Sequence, residues 1–184
     1  MIFGILPDHE IQKSIVITPF SEAQKREGMI SYGVSSFGYD VRIGRKYKIF
    51  TPVYGGVVID PKNLDQRAFQ DIEHDYCIIP PNSYVLAESL EYFEIPRDVI
   101  GICLGKSSYA RVGAIVNVTP LEPSWKGKIT IEISNSSPLP IKIYSEEGIM
   151  QVLFFRATSP CTTSYADKQG KYQNQEGLTL SKVD

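Results

Sequence analysis

The stretch Lys128-Ile129-Thr130-Ile131-Glu132-Ile133-Ser134-Asn135 alternates apolar and polar residues without a break. A period of two puts Ile129, Ile131 and Ile133 on one face of an extended strand and Thr130 and Glu132 on the other. Isoleucine is branched at Cβ and packs well on a pleated surface, so the segment commits its part of the chain to a sheet. Comparable short runs occupy 38–44, 47–50, 55–60, 77–79, 84–89, 92–95, 99–104, 114–119, 140–144 and 149–155, separated by Gly, Pro and Asn. Short strands at this spacing predict a mainly β fold, a jelly roll, sandwich or distorted barrel. One short helix is expected over 7–15, where Pro7 comes early, Asp8 and Glu10 follow, and Ile11 and Ile15 share a face. The segment 31–37 reads as turns, and the polar segment 63–74 as a loop with a helical turn.

The 184 residues are expected to form a single domain, 1–184, with a core of useful size. From Ser164 the apolar content falls, so 164–184 reads as a mobile polar tail. Net charge is -2, from 19 basic and 21 acidic residues, which gives no general basic field for nucleic acid. No apolar run approaches the roughly 20 residues a membrane span needs. The opening Met1-Ile2-Phe3-Gly4-Ile5-Leu6 has no basic leader and is cut short by Pro7-Asp8, so no signal peptide is expected. Cys77, Cys103 and Cys161 are widely spaced with no CxxC pair. Cys77 and Cys103 sit in apolar runs and read as reduced core thiols of a cytoplasmic protein.

Chemistry is concentrated in Gly105-Lys106-Ser107-Ser108-Tyr109-Ala110-Arg111-Val112-Gly113. Small and hydroxyl residues after a buried strand let backbone N–H groups and a cation meet an anion. If the segment coils for a turn, Ser107 and Arg111 share a face, a pairing suited to a phosphorylated ligand. The same residues also fit a surface turn whose serines cap a short helix. Gly101 to Ser107 mimics a phosphate-binding P-loop but is one residue short between its glycines, so that motif is rejected. Zinc is poorly supplied: the chain has two histidines, His9 and His74, and no H-x-E paired with P-C-x-x-C. A Ser-His-Asp triad is equally unsupported.

Carboxylates are the better candidates. Glu132 is either a solvated residue on the outer face of its strand or, at the lip of a site, a general acid/base with raised proton affinity. Gln151 is either an outward residue on a half-buried strand or an amide that reads a base or sugar edge. In the tail, Tyr165, Lys171 and Gln175 either belong to a solvated terminus or fold over a nucleotide.

Taken in order, these segments resemble the dCTP deaminases of the trimeric dUTPase superfamily. The resemblance runs from Gly4-Ile5-Leu6-Pro7-Asp8 through Gly38-Tyr39-Asp40-Val41-Arg42-Ile43-Gly44 and is strongest in 105–113 and 116–127. It closes with Ile129-Thr130-Ile131-Glu132, Gly148-Ile149-Met150-Gln151 and 165–175. It implies a dUTPase-like distorted jelly roll with few short helices, assembled as a homotrimer with active sites shared between chains. It implies hydrolysis of dCTP to dUTP and ammonia, a supply of dUTP for dUMP and dTTP synthesis, on a magnesium-bound nucleotide without zinc. Glu132 matches the family's catalytic glutamate, and Ser107 and Arg111 match its catalytic partners. Lys106, Ser107, Ser108, Tyr109, Ala110 and Arg111 match the loop around phosphates and cytosine. Thr130, Ile131, Gln151, Tyr165, Lys171 and Gln175 match further nucleotide contacts. The family also admits dTTP as an inhibitor. The rival readings are a dUTPase, a bifunctional enzyme that carries dCTP to dUMP, and a non-catalytic nucleotide-binding jelly roll. A dUTPase would have Gly-x-Ile-Asp where this chain has Pro120-Leu121-Glu122-Pro123, and a Gly-rich, Arg-containing tail. Both departures favour deamination, while Glu122 keeps the bifunctional reading open.

Overall fold

The computed structural model describes residues 4–22, 27–51 and 58–183. The chain runs β1 (Gly4–Ile5), α1 (Asp8–Ser14), β2 (Val16–Thr18), β3 (Gly33–Ser35) and β4 (Gly38–Phe50). A 3-10 turn (Gln66–Ala68) leads to β5 (Phe69–Glu73), β6 (Tyr76–Ile79), β7 (Tyr84–Glu94) and β8 (Val99–Gly105). Then come α2 (Ser107–Ala110), β9 (Ala114–Asn117), β10 (Lys126–Asn135), β11 (Ile141–Tyr144) and β12 (Gly148–Arg156). Among the described residues, ten strands form one antiparallel sheet whose main path is β1-β12-β4-β7-β10-β9, and β6 and β11 form a separate pair.

The sheet curls on itself because β4 serves two neighbours. Its first half, Tyr39 to Arg42, pairs with β12, while Ile43 to Ile49 pairs with β7. β8 extends the first half through β12, and β10 and β9 extend the second half through β7. Alternating residues of both halves meet in one core, where Tyr39, Phe93, Ile131, Ile133, Ile149, Val152 and Phe154 are inaccessible to solvent. The short helix α1 contributes Ile11 to that core, as its spacing predicts.

Several details differ from the expectations. The segments 38–44 and 47–50 are one strand, and so are 84–89 and 92–95. β5 lies in what reads as loop: Phe69-Gln70-Asp71-Ile72-Glu73 lacks alternation, yet it is drawn straight by ladder bonds to β4. β3 is likewise a strand within the turn-rich 31–37, hairpinned onto the start of β4. Of the strand expected over 55–60, residues 55–57 lie outside the described residues, and 58–60 are not in a strand. The tail is docked on the barrel by polar contacts, which apolar content does not reveal. Trp125 Nε1 donates to the Tyr172 carbonyl at 2.9 Å and Lys128 N to the Gln175 carbonyl at 2.9 Å, while within the tail Tyr172 N donates to the Tyr165 hydroxyl at 3.0 Å. No helix among the described residues is long and apolar enough to cross a membrane.

Candidate active site

β10 behaves as its alternation requires. Ile129, Ile131 and Ile133 are buried to 2% exposure or less, so Thr130 and Glu132 face away from the core. That opposite face is covered rather than open. Glu132 pairs across the ladder with Leu86, and Thr130 with Glu88. Trp125, Tyr84, Tyr165 and Tyr172 stand around them, enclosing a cavity of about 670 Å³. Glu132, Thr130, Tyr165, Lys171 and Gln175 all line it, so five of the candidate residues meet at one place.

The electrostatics of the cavity follow from its walls. Burial pushes the Glu132 carboxyl up to about 7, against a smaller opposing pull from its own backbone N–H. No ion pair with Glu132 is formed among the described residues, so no counter-charge offsets the burial. A carboxyl at that value exchanges protons readily near neutral pH. Tyr84 is driven to about 12, first by burial and then by the Glu132 charge, and remains a neutral donor. Cys103 reaches about 12 for the same two reasons, so its thiol is protonated beside the site. Thr130 Oγ1 accepts from Thr179 N at 3.2 Å and from Gln175 Nε2 at 3.4 Å, which ties the tail to the cavity wall. Among the described residues no group of three or more His, Cys, Asp or Glu side chains is arranged to hold a metal ion. His9 lies in α1, His74 lies between β5 and β6, and neither lines the cavity.

The loop 105–113 forms the short helix α2, with Arg111 N donating to the Ser107 carbonyl at 3.1 Å, so the two residues share a face. Within one chain this loop does not reach the cavity: neither residues 105–111 nor Gln151 line it. Two of its members, Lys106 and Tyr109, and Gln151 of β12 are engaged elsewhere, and their side chains differ from the expected ligand contacts. Lys106 Nζ is 2.7 Å from Asp40 Oδ2, and both side chains are largely buried, so its charge is already matched. Tyr109 is 3% exposed and its hydroxyl accepts from Tyr144 N, which makes it an anchor of the turn and leaves only its main chain for a ligand. Gln151 Nε2 donates to Ser35 Oγ at 2.9 Å. Ile131 is likewise inward, at 0% exposure, so only its backbone can meet a nucleotide. Ser107, Ser108, Ala110 and Arg111 are exposed, and no side chain among the described residues pairs with the hydroxyls or the guanidinium.

Sequence reasoning missed the far wall of the cavity: Phe50, Tyr84, Leu86 and Trp125. Alternation in β7 sets Tyr84, Leu86 and Glu88 on a common face, but only the pairing with β10 brings that face to Glu132.

A family model described as dCTP deaminase-like matches residues 5–157. The chain is 60% identical over 168 residues to a dCTP deaminase of Acidobacterium capsulatum, covering 91% of each chain. It is 56% identical over 184 residues to a dCTP deaminase of Campylobacter concisus, covering 98% of each. Among solved structures, a 2'-deoxycytidine 5'-triphosphate deaminase from Agrobacterium tumefaciens superposes with a TM-score of 0.61 at 17% identity. That match takes in 84% of this chain and 48% of the other, so this chain spans about half its length. A dUTPase of Staphylococcus bacteriophage 80alpha gives a TM-score of 0.50 at 10% identity, over 82% of this chain and 95% of that one. The last two likenesses speak for the fold, a dUTPase-like curled sheet. The sequence matches carry the assignment, and the fold agrees with it: the chain belongs to the dCTP deaminase-like family.

Proposed function

We propose that the chain hydrolyses dCTP to dUTP and ammonia, with Glu132 as the group that moves protons. The observation that carries this reading is a carboxyl on the cavity wall whose proton affinity is raised to about 7 by burial. The names of relatives 56–60% identical over nearly the whole chain support the same substrate. Water adds to the ring carbon that bears the amine, and the carboxylate takes the water's proton and delivers it to the ring nitrogen. The same carboxyl then shuttles the hydroxyl proton to the departing amine, so that ammonia leaves and the carbonyl of uracil forms. Reprotonation at each half-step is favoured because the pKa lies near the working pH.

The reading assigns this proton transfer to Glu132 without zinc, because neither histidine is near the cavity and the donor set is one of carboxylates and amides. The substrate is the magnesium complex of dCTP, whose residual negative charge Lys171 meets at the cavity mouth. Ser107 and Arg111 are exposed and have no side-chain partner among the described residues, which fits their serving the cavity of a neighbouring copy in a homotrimer. There Arg111, always protonated, steadies charge in the transition state, and Ser107 orients the water or the base. The same reading takes dTTP as a nucleotide that competes for this cavity.

A second reading has one observation in its favour. Glu122 lines the same cavity, with Lys168 Nζ 3.9 Å from its Oε2, where it could direct a second water at the phosphates. Product analysis separates the two. Ammonia with dUTP as the accumulating nucleotide supports deamination alone, whereas dUMP with pyrophosphate supports the bifunctional reading. Absence of ammonia from dCTP would sink both.

A further inference from the structure

Glu88 belongs to none of the motifs read from the sequence. It is the cross-strand partner of Thr130, so its carboxylate and the Thr130 hydroxyl stand side by side on the face that carries Glu132. The tail crosses this pair and gives it two successive amides. Leu178 N donates to Glu88 Oε2 at 3.1 Å, and Thr179 N donates to Thr130 Oγ1 at 3.2 Å. Glu88 is 7% exposed, and its nearest cation, Lys128 Nζ, stands 3.9 Å away, beyond hydrogen-bond reach. A buried carboxylate so thinly matched depends on the amide it holds. Glycine permits the approach on both sides: a Cβ on Gly177 would lie 2.8 Å from Oε2, and one on Gly44 would lie 3.1 Å from the Glu88 Cγ.

We infer that Glu88 is a positioning residue that pins tail segment 175–179 to the barrel and thereby holds Gln175 and Thr179 in the wall of the Glu132 cavity. Its kinetic consequence rests on the deaminase reading; its structural consequence does not. Releasing the tail makes nucleotide binding re-order it, so the apparent affinity falls by the fraction of chains with the tail docked.

The test is Glu88→Ala in the full chain, read by hydrogen exchange of residues 171–180 and by steady-state kinetics with magnesium dCTP. Exchange in the tail accelerates and KM rises about tenfold, with kcat changed less, on the ordinary strength of a hydrogen bond to a charged acceptor. Glu88→Gln keeps a carbonyl acceptor for Leu178 N and returns both readouts most of the way to the starting protein. Gly177→Val attacks the contact from the tail side, leaves the barrel's core intact, and reproduces the effects of Glu88→Ala. Unchanged tail exchange in Glu88→Ala and Gly177→Val overturns the inference, and so does a KM effect without an exchange effect. Faster tail exchange in a chain whose unsubstituted form releases no ammonia from dCTP upholds the anchor and overturns the deaminase reading.

Discussion

Glu132 and Leu86 are cross-strand partners, so the carboxyl sits opposite an alkyl side chain and not a counter-charge. An acid so placed costs the fold stability whenever it is ionised. Under the deaminase reading, Glu132→Gln lowers kcat by at least about a thousandfold, in the range expected for a lost general acid/base, while dCTP binding by calorimetry stays within about threefold. The folded-state pKa is about 7 against an ordinary 4.5, so the folded chain holds the proton more tightly than the unfolded one. Stability from this group is complete below about pH 4.5 and is lost as pH rises through 7. Glu132→Gln has no such loss, and at pH 8 it is more stable than the starting protein by about 1–3 kcal/mol. The gain vanishes near pH 4, as urea melts at the two pH values will show.

Ser107 and Arg111 have no side-chain partner among the described residues, so their loss costs the chain little. Ser107→Ala and Arg111→Ala keep chemical-denaturation stability within about 0.5 kcal/mol. Under the shared-site reading each reduces kcat by about a hundredfold or more. Refolding Glu132→Gln chains together with Arg111→Ala chains then regains part of the activity, because some mixed assemblies hold one intact site. No recovery on mixing, with each variant still assembled, refutes the sharing.

Arg42 and Glu91 form a buried pair. Arg42 Nε is 2.6 Å from Glu91 Oε1, Arg42 N donates to Oε2 at 2.9 Å, and Glu91 is 0% exposed. Burial raises the Glu91 carboxyl, and the arginine works against that rise. Arg42→Met strands the acid and costs about 3–5 kcal/mol by urea unfolding. Arg42→Met with Glu91→Gln recovers most of that loss, since the charge has gone with its partner.

The chain has a single tryptophan, and Trp125 is both a wall of the cavity and a donor to the tail. Ending the chain at Gly170 removes the Tyr172 carbonyl and uncovers the indole, so emission shifts to the red. In the full chain, titration with dCTP changes the emission in a saturable way. An unshifted spectrum in the truncated chain would place the tail elsewhere in solution.

Much of this architecture is legible in the sequence because burial imposes alternation. The β10 isoleucines state their own orientation, and with it that of Thr130 and Glu132. β5 is not legible, because Gln70, Asp71 and Glu73 leave no pattern, and its strand form comes from bonds to distant β4 residues. The tail is hidden for a similar reason: Leu178 and Thr179 are held by main-chain N–H groups, which every non-proline residue possesses. In the sequence the candidate site is only a list of residue types. Which of them converge depends on pairing, and pairing puts Thr130, Glu132 and the tail together while leaving Lys106 bound to Asp40.

The ladder between β7 and β10 is irregular between Lys128 and Thr130, and there Ile129 N donates to the Ser89 hydroxyl at 2.8 Å, while that hydroxyl donates to the Glu91 carbonyl. One oxygen thus stands in for a missing backbone acceptor. Were it absent, β10 could regain a partner by sliding a single residue, and such a slip would turn Glu132 inward and send the isoleucines out to the cavity. The Ser89 hydroxymethyl group thereby backs the register that the buried isoleucines set, and with it the side on which the acid lies.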